Sequence, residues 1–475
     1  MFRKSALALV ILLLGASRCA LAQTTQALAH QPPDGAGIGF LLTDGTVMYQ
    51  GNAAYDWYKL TPDIAGSYVN GTWTRLANLP AGYVPYAFAS AVLADGRVLI
   101  DGGEYLNNVF TLTNLGAIYD PKANTWTNLP PPTGWNYIGD SPSLVLPNGD
   151  FLIGNKLLKT MAVLNPRTLK WTLLAGTGKS DFNAEEGWTL LPGGSVLTAD
   201  VKNAPNSEIY VPSLRKWSTA GSTVVDLHSP SPDGCINYGP GGSLCYFPPG
   251  EIGPAILRPD GTVFATGSYS NTASGAGHTA IYSPATGWAA GPDFPNGDNA
   301  GDDFAVLLPS GNVLVEGNLT SYEWNGVSFF PTLSTPGSLI MLPTGQVLVG
   351  GFEVYNPRGT YEPGWAPTIT TVSAVLHRGS TYRISGTQFN GLSQAAAFGD
   401  EFQTATNYPL VRITNSSTGH VFYARTHNHS TMAVATGSAI VYTRFDVPAT
   451  METGSSSIEV VTNGIPSAPV TVTVE

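Results

Sequence analysis

One short pattern recurs along the first three quarters of the chain: an apolar strand, a tight turn ending in glycine, and a second apolar strand. It reads Phe40-Leu41-Leu42-Thr43-Asp44-Gly45-Thr46-Val47-Met48, and again Ala91-Val92-Leu93-Ala94-Asp95-Gly96-Arg97-Val98-Leu99-Ile100. Further copies centre on Gly149, Gly194, Gly261, Gly311 and Gly345, and the intervals between the seven glycines are 51, 53, 45, 67, 50 and 34 residues. A two-residue hairpin needs positive φ at its turn, which glycine adopts freely and Asp or Asn tolerates. A third strand follows, ending in Tyr119-Asp120-Pro121, Leu164-Asn165-Pro166, Tyr210-Val211-Pro212, Tyr282-Ser283-Pro284 or Tyr355-Asn356-Pro357. A tryptophan then marks a fourth strand at Trp73, Trp126, Trp171, Trp217, Trp288 and Trp324. A four-strand unit of this kind cannot bury its faces alone, so its neighbours must cover them.

Seven such units predict an all-β fold, a seven-bladed kelch-like β-propeller over residues 23–366. Composition agrees: only 12% of the residues are charged, Gly (54) and Tyr (21) are plentiful, and no stretch sustains a 3.6-residue period. Almost no helix is expected. The last unit is short, so a strand from one end of the repeat region must complete it, and residues 24–31 and the segment around Trp365 are both candidates. The 67-residue interval holds an insertion around residues 222–250. Cys235 and Cys245 lie in it, and a local disulfide is the simplest reading in an oxidising compartment. From Pro367 the period stops, and residues 367–475 alternate in short strands, predicting an immunoglobulin-like β-sandwich.

Residues 1–22 carry a basic start (Arg3, Lys4), an apolar run from Ala6 to Leu14, and Ala20-Leu21-Ala22 before Gln23, the pattern of a cleaved signal peptide. The expectation is export, to the periplasm or the outside. No apolar run is long enough to span a bilayer. Removing the leader leaves 19 basic against 33 acidic residues, a net of −14, which argues against nucleic acid as a partner. A monomer is expected.

The architecture resembles the galactose oxidase and glyoxal oxidase group, in which a kelch propeller precedes a C-terminal early-set domain. The resemblance rests on Tyr361-Glu362-Pro363, Ala366-Pro367-Thr368-Ile369, Pro409-Leu410-Val411-Arg412, Thr426-His427 and Asn463-Gly464-Ile465-Pro466-Ser467. Ile384-Ser385-Gly386-Thr387-Gln388-Phe389 is similar to the IPT/TIG domain type. The group holds copper with two tyrosines and two histidines, one tyrosine being cross-linked to cysteine. Its Tyr-His pair falls here on Thr335 and Pro336, no cysteine stands near Phe88-Ala89-Ser90, and only His427 matches. One ligand would hold copper weakly, so copper is not expected.

Aligned by their turns, the innermost strands begin with acids: Asp140, Glu185-Glu186, Glu251 and Asp302-Asp303. In a propeller these starts face a central funnel. Such acids suit Ca²⁺ or a polyol-like ligand, and they equally suit a funnel that is merely hydrated. Trp135 and Trp188 precede inner strands and are candidates for stacking on sugar. His427 and His429 stand two apart on a strand, hence on one face, which fits either a metal pair or hydrogen-bonding partners at a domain seam. Two functions follow. One is a non-catalytic binding module for carbohydrate or a cell-surface protein. The alternative is a galactose oxidase-like or other carbohydrate-active enzyme with a rearranged metal site. The missing copper ligands favour the first.

Overall fold

The structure is a computed structural model that describes residues 23–229, 250–268, 275–332 and 337–475, together with the backbone of strands Gly234–Asn237 and Ser243–Tyr246. The leader peptide expected over residues 1–22 lies outside the described residues, as do Thr335 and Pro336.

Among the described residues the chain is all β apart from two single-turn 3-10 segments, Pro295–Gly297 and Pro363–Trp365. Small antiparallel sheets succeed one another along the first three quarters. Six of them run in sequence, from Gly39–Leu41 to Thr72–Arg75, Ala89–Val92 to Thr125–Leu129, and Ser143–Val145 to Lys170–Leu174, then Thr189–Leu190 to Lys216–Ser222, Ala255–Leu257 to Gly287–Ala290, and Ala305–Leu307 to Phe329–Pro331. A seventh contains Leu339–Met341, Val347–Val349 and Glu353–Asn356, and its fourth strand is Thr24–Ala27, paired Thr24 to Asn356 and Ala27 to Glu353. The N-terminal strand therefore completes this sheet; Trp365 sits instead in the second 3-10 segment, outside the sheet.

The seven repeated glycines all adopt the left-handed backbone that the turns require, with φ between 76° and 89° at Gly45, Gly96, Gly149, Gly194, Gly261, Gly311 and Gly345. The aromatic repeat has a matching role. Tyr119, Leu164, Tyr210 and Tyr282 pair in register with Trp126, Trp171, Trp217 and Trp288 across the third and fourth strands. Several indoles then reach the preceding unit. Trp73 donates to the His30 carbonyl (3.0 Å), Trp126 to Ala77 (3.1 Å), Trp171 to Pro130 (2.7 Å) and Trp288 to the Ser207 hydroxyl (2.8 Å). One amphipathic ring thus supplies apolar area to its own sheet and a hydrogen bond to the next. Trp324 departs from the pattern: it lies on the third strand of its sheet, Ser321–Trp324, and stacks on Phe264 of the preceding sheet at 3.8 Å.

Strands Gly234–Asn237 and Ser243–Tyr246 pair with Cys235 opposite Cys245. The side chains of this expected disulfide lie outside the described residues.

Beyond Thr368 a single nine-stranded sheet curls on itself. Strand Val421–His427 makes the curl possible. Its first half pairs with Leu410–Asn415 and its last three residues pair with Val441–Asp446. The two halves of the sheet enclose Ile384, Val411, Ile413, Phe445, Ile458, Val460 and Val472. This part also docks on the turn side of the small sheets: Thr426 N donates to Thr43 O (3.0 Å), His429 N to Ala94 O (3.0 Å) and Met432 N to Pro147 O (3.0 Å), each acceptor lying at a repeated hairpin. Tyr408, buried, donates its hydroxyl to the Leu41 carbonyl.

Replacing Tyr408→Phe leaves that buried carbonyl without its partner. The expected loss is about 1–3 kcal/mol of unfolding free energy by denaturant titration. An unchanged midpoint would show that this seam bond contributes nothing.

Candidate functional site

The starts of the innermost strands converge on one cavity of about 300 Å³. Gly37 and Ile38 reach it from the first sheet, Tyr86 and Ala87 from the second, Asp140 from the third, Glu251 from the fifth, Asp302 and Phe304 from the sixth, and Ser338 from the seventh. A segment from the C-terminal part fills the remaining side. Ala396–Ala397 adds a short strand to the sixth sheet by pairing with Val306 and Ala305. Beyond it, Phe398, Asp400, Glu401 and Phe402 line the cavity. The approach is close: a Cβ on Gly399 would meet the Ile252 carbonyl at 2.5 Å. Phe402 packs edge-on against Phe88 (5.2 Å) and Phe398 against Phe304 (4.7 Å). Gln403 fixes the segment further, with its N–H on Ser90 Oγ (2.9 Å) and its amide on Ser143 O (3.3 Å).

Local backbone explains which acids face the cavity. Glu185 and Asp302 have φ of 55° and 53°, and Ala87, at the equivalent position of the second sheet, has 51°. This left-handed residue kinks the chain before the strand begins, so adjacent acids diverge. Asp302 lines the cavity, whereas Asp303 is not among its lining residues and has a buried oxygen with no hydrogen-bond partner. Glu185 turns toward the ammonium of Lys156 (2.7 Å), while Glu186 turns away to Lys179 (2.8 Å) in the segment that leads to the fourth sheet. Glu186 thus belongs to a separate buried cluster in which Lys179 also meets Asp181 (3.3 Å) and Glu208 (2.8 Å).

Lys156 is the charge at the back of the cavity. Its ammonium bonds Asp140 and Glu185, and its side chain is 1% exposed. Burial opposes that charge, yet Asp140, Glu185, Glu104 and Asp400 outweigh it and hold the lysine protonated well above its ordinary range. The carboxyls show the opposite imbalance. Burial pushes Asp302 up to about 10, reinforced by Glu401 and Glu251, and pushes Glu251 up to about 8. Glu251 and Asp302 share a hydrogen bond. Burial likewise raises Asp400, Glu401 and Glu104. Among the described residues, six carboxyl groups line the cavity and no lysine, arginine or histidine does.

The other candidates lie elsewhere. Trp135 and Trp188 are 8% and 4% exposed and are not lining residues; Trp188 packs on Trp217 at 5.9 Å. They belong to the core because their rings fill the space between sheets. The strand carrying His427 ends there, and Asn428 turns left-handed (φ 52°), so the alternation that would put both rings on one face stops. His427 bonds Asp446 (3.1 Å), and buried His429 bonds Thr443 (2.8 Å) with burial pushing its imidazole down to about 3. Both rings lie at the seam with the small sheets rather than at the cavity.

The copper donor set implied by the resemblance does not fit these residues: among the described residues the cavity lining offers carboxylates and aromatic rings, without histidine or cysteine. Oxygen donors for a hard cation do occur. Asp140, Glu185 and Asp400 bring oxygens within 4.8 Å of one another, but the Lys156 ammonium already binds two of the three. Sequence reasoning overlooked Lys156, Glu104, Asp400, Glu401 and the rings of Tyr86, Phe304, Phe398 and Phe402. The motif Phe398-Gly399-Asp400-Glu401-Phe402 carries no repeat signal, because it belongs to the C-terminal part.

No protein-family model matches the chain. A kelch-like protein, terF, of Aspergillus terreus is 28% identical over 119 residues, covering 22% of this chain and 25% of that one, so the match spans about a quarter of that relative. A fungal alcohol oxidase of the AA5 family, solved with copper, is similar over 95% of this chain and 98% of its own, at 13% identity and TM-score 0.49. The extracellular domain of a putative one-component system from B. thetaiotaomicron is similar over 95% of this chain and 58% of its own, at 12% identity and TM-score 0.47. Virginiamycin B lyase from Staphylococcus aureus aligns with 70% of this chain and 98% of its own, at 11% identity and TM-score 0.45.

Glu251 and Asp302 bind their protons more tightly in the folded chain than an unfolded carboxyl does. Folded molecules therefore hold more protons from the ordinary carboxylate range up to pH about 8 for Glu251 and about 10 for Asp302, and stability falls as pH rises through that window. The expected outcome is a melting temperature that declines between pH 5 and pH 9, and declines less in Asp302→Asn. Parallel curves for the two proteins would remove Asp302 as a source of the slope.

Proposed function

We propose that this chain is an exported binding module whose ligand, a carbohydrate, enters the axial cavity. In this reading residues 1–22 are the cleaved leader, residues 23–366 are a seven-bladed kelch-like propeller closed by Thr24–Ala27, and residues 367–475 are an immunoglobulin-like sandwich. The observation that carries it is the lining of the 300 Å³ cavity: six carboxyl groups beside Tyr86, Phe304, Phe398 and Phe402. Carboxyl oxygens accept hydrogen bonds from sugar hydroxyls, and aromatic faces cover the apolar side of a pyranose ring. A site of this size matches one small ligand unit. The cavity's polar groups also arrive already ordered by strand starts and by the inserted segment, so little conformational entropy is lost on binding.

The test is to apply the purified chain to a glycan array while assaying copper content and hydrogen peroxide release with sugars, alcohols and aldehydes. Binding to glycans without peroxide is expected, and Tyr86→Ala, whose ring is 57% exposed, should weaken it about tenfold at unchanged melting temperature. Stoichiometric copper together with peroxide release would replace this reading with an oxidase.

A further inference from the structure

We propose that the cavity selects the protonated amine of an amino sugar, with the following units of the glycan lying over a ridge formed by Tyr86, Tyr105 and Phe110. This deepens the carbohydrate reading above and rests on it.

Charge supplies the first argument. Glu104, Asp140, Glu251, Asp302, Asp400 and Glu401 all line the space, with no cationic side chain among the described lining residues. The nearest cation, Lys156, is turned to Asp140 and Glu185 at the back. Asp140 is 5% exposed, and its Oδ1 has no hydrogen-bond partner although the residue faces the cavity. A buried carboxylate oxygen without a donor is unfavourable, so the site favours a ligand that brings one. An ammonium brings three donors and a full charge, whereas a neutral hydroxyl brings one. A metal ion is the poorer match, because of the three carboxylates grouped there, Asp140, Glu185 and Asp400, two already bind the Lys156 ammonium.

Shape supplies the second. Between the second and third strands of the second sheet the chain makes a hairpin, Tyr105–Leu106 and Val109–Phe110, joined by Asn107-Asn108 at φ 54° and 61°, the geometry of a two-residue hairpin turn. It pairs with Pro85–Tyr86 to make a three-stranded sheet beside the cavity. Its rings form a row: Tyr86 lies 6.3 Å from Phe402 inside the cavity and 6.3 Å from Tyr105, and Tyr105 lies 5.9 Å from Phe110. A row of rings leading out of a one-unit cavity suits a chain of pyranose units with one end inside.

Binding would also move protons. Burial holds protons on Glu251 and Asp302, while Glu104, Asp140, Glu185, Asp400, Glu401 and Lys156 set the surrounding field. A cation seated among them favours the ionised carboxylates, so near pH 6, where the amine arrives already protonated and Glu251 and Asp302 still hold their protons, amine binding releases protons, and a neutral sugar need not.

Calorimetry of the mature chain decides this, with tetraglucosamine, its fully N-acetylated form and cellotetraose as ligands, in two buffers of different ionisation heat. Tetraglucosamine is expected to bind at least about tenfold tighter than either neutral tetrasaccharide, with net proton release. Glu104→Gln should narrow that preference in a chain that keeps its native circular dichroism, and Phe110→Ala should weaken the tetramer while leaving the glucosamine monomer unaffected. Equal affinity for the three tetrasaccharides would overturn the amine assignment and leave the carbohydrate reading in place. Silence from all three would overturn both. A Ca²⁺ titration that gives heat and raises the melting temperature, where the amine gives neither, would reassign the cavity to a metal.

Discussion

The structure depends on the filling of the space where the inner strands meet. Small sheets whose first strands face a common centre leave backbone, strand starts and side chains directed at a narrow gap, and buried polar groups there need partners. Ala396–Ala397 extends the sixth sheet, Phe398 and Phe402 occupy apolar volume, and Gln403 takes up groups on the second and third sheets. Small residues are required where this segment passes. The Gly399 position admits no Cβ without displacing the Ile252 carbonyl, and a Cβ on Gly187 would strike the Gly399 carbonyl. The C-terminal part is thereby more than an appendage, since residues from it form one wall of the cavity.

That filling also creates the electrostatics. Excluding water from a group of acids makes each negative charge costly, so protons remain on carboxyls that would otherwise be ionised. The two internal lysines relieve this in different ways. Lys179 is enclosed by Asp181, Glu186 and Glu208 where a loop meets the fourth sheet, over the Trp217 ring at 4.9 Å. Lys156 neutralises only the back of the axial cavity, leaving Glu251, Asp302 and Glu401 to face the open space. The left-handed backbone at Glu185 and Asp302 fits the same picture, since such conformations persist where surrounding contacts hold them.

Much of the fold follows from local chemistry that a sequence displays. Hairpin glycines, the Tyr-to-Trp spacing and the loss of period after Pro367 each reflect short-range rules, and the sheets form where those rules point. Acids were identifiable at the inner strand starts because the turns give the register. Which member of each acidic pair faces inward was not, since a left-handed residue just before the strand resets the alternation. Trp135 and Trp188 share the same limit: aromatic type and position do not distinguish a ring in the core from one at an opening.

By itself, then, the sequence determined an all-β chain of repeated four-strand units, the places of their turns, and a set of acids at the starts of inner strands. Such features depend on φ preference, side-chain alternation and spacing, all contained within one unit. Tertiary structure alone decided that Thr24–Ala27 completes the seventh sheet, that Lys156 sits between Asp140 and Glu185, and that Asp400 and Glu401 arrive from more than 200 residues away to join Asp140 and Glu185. Long-range contacts of this kind leave no periodic trace, because the segments that meet are joined by the closing of the whole fold.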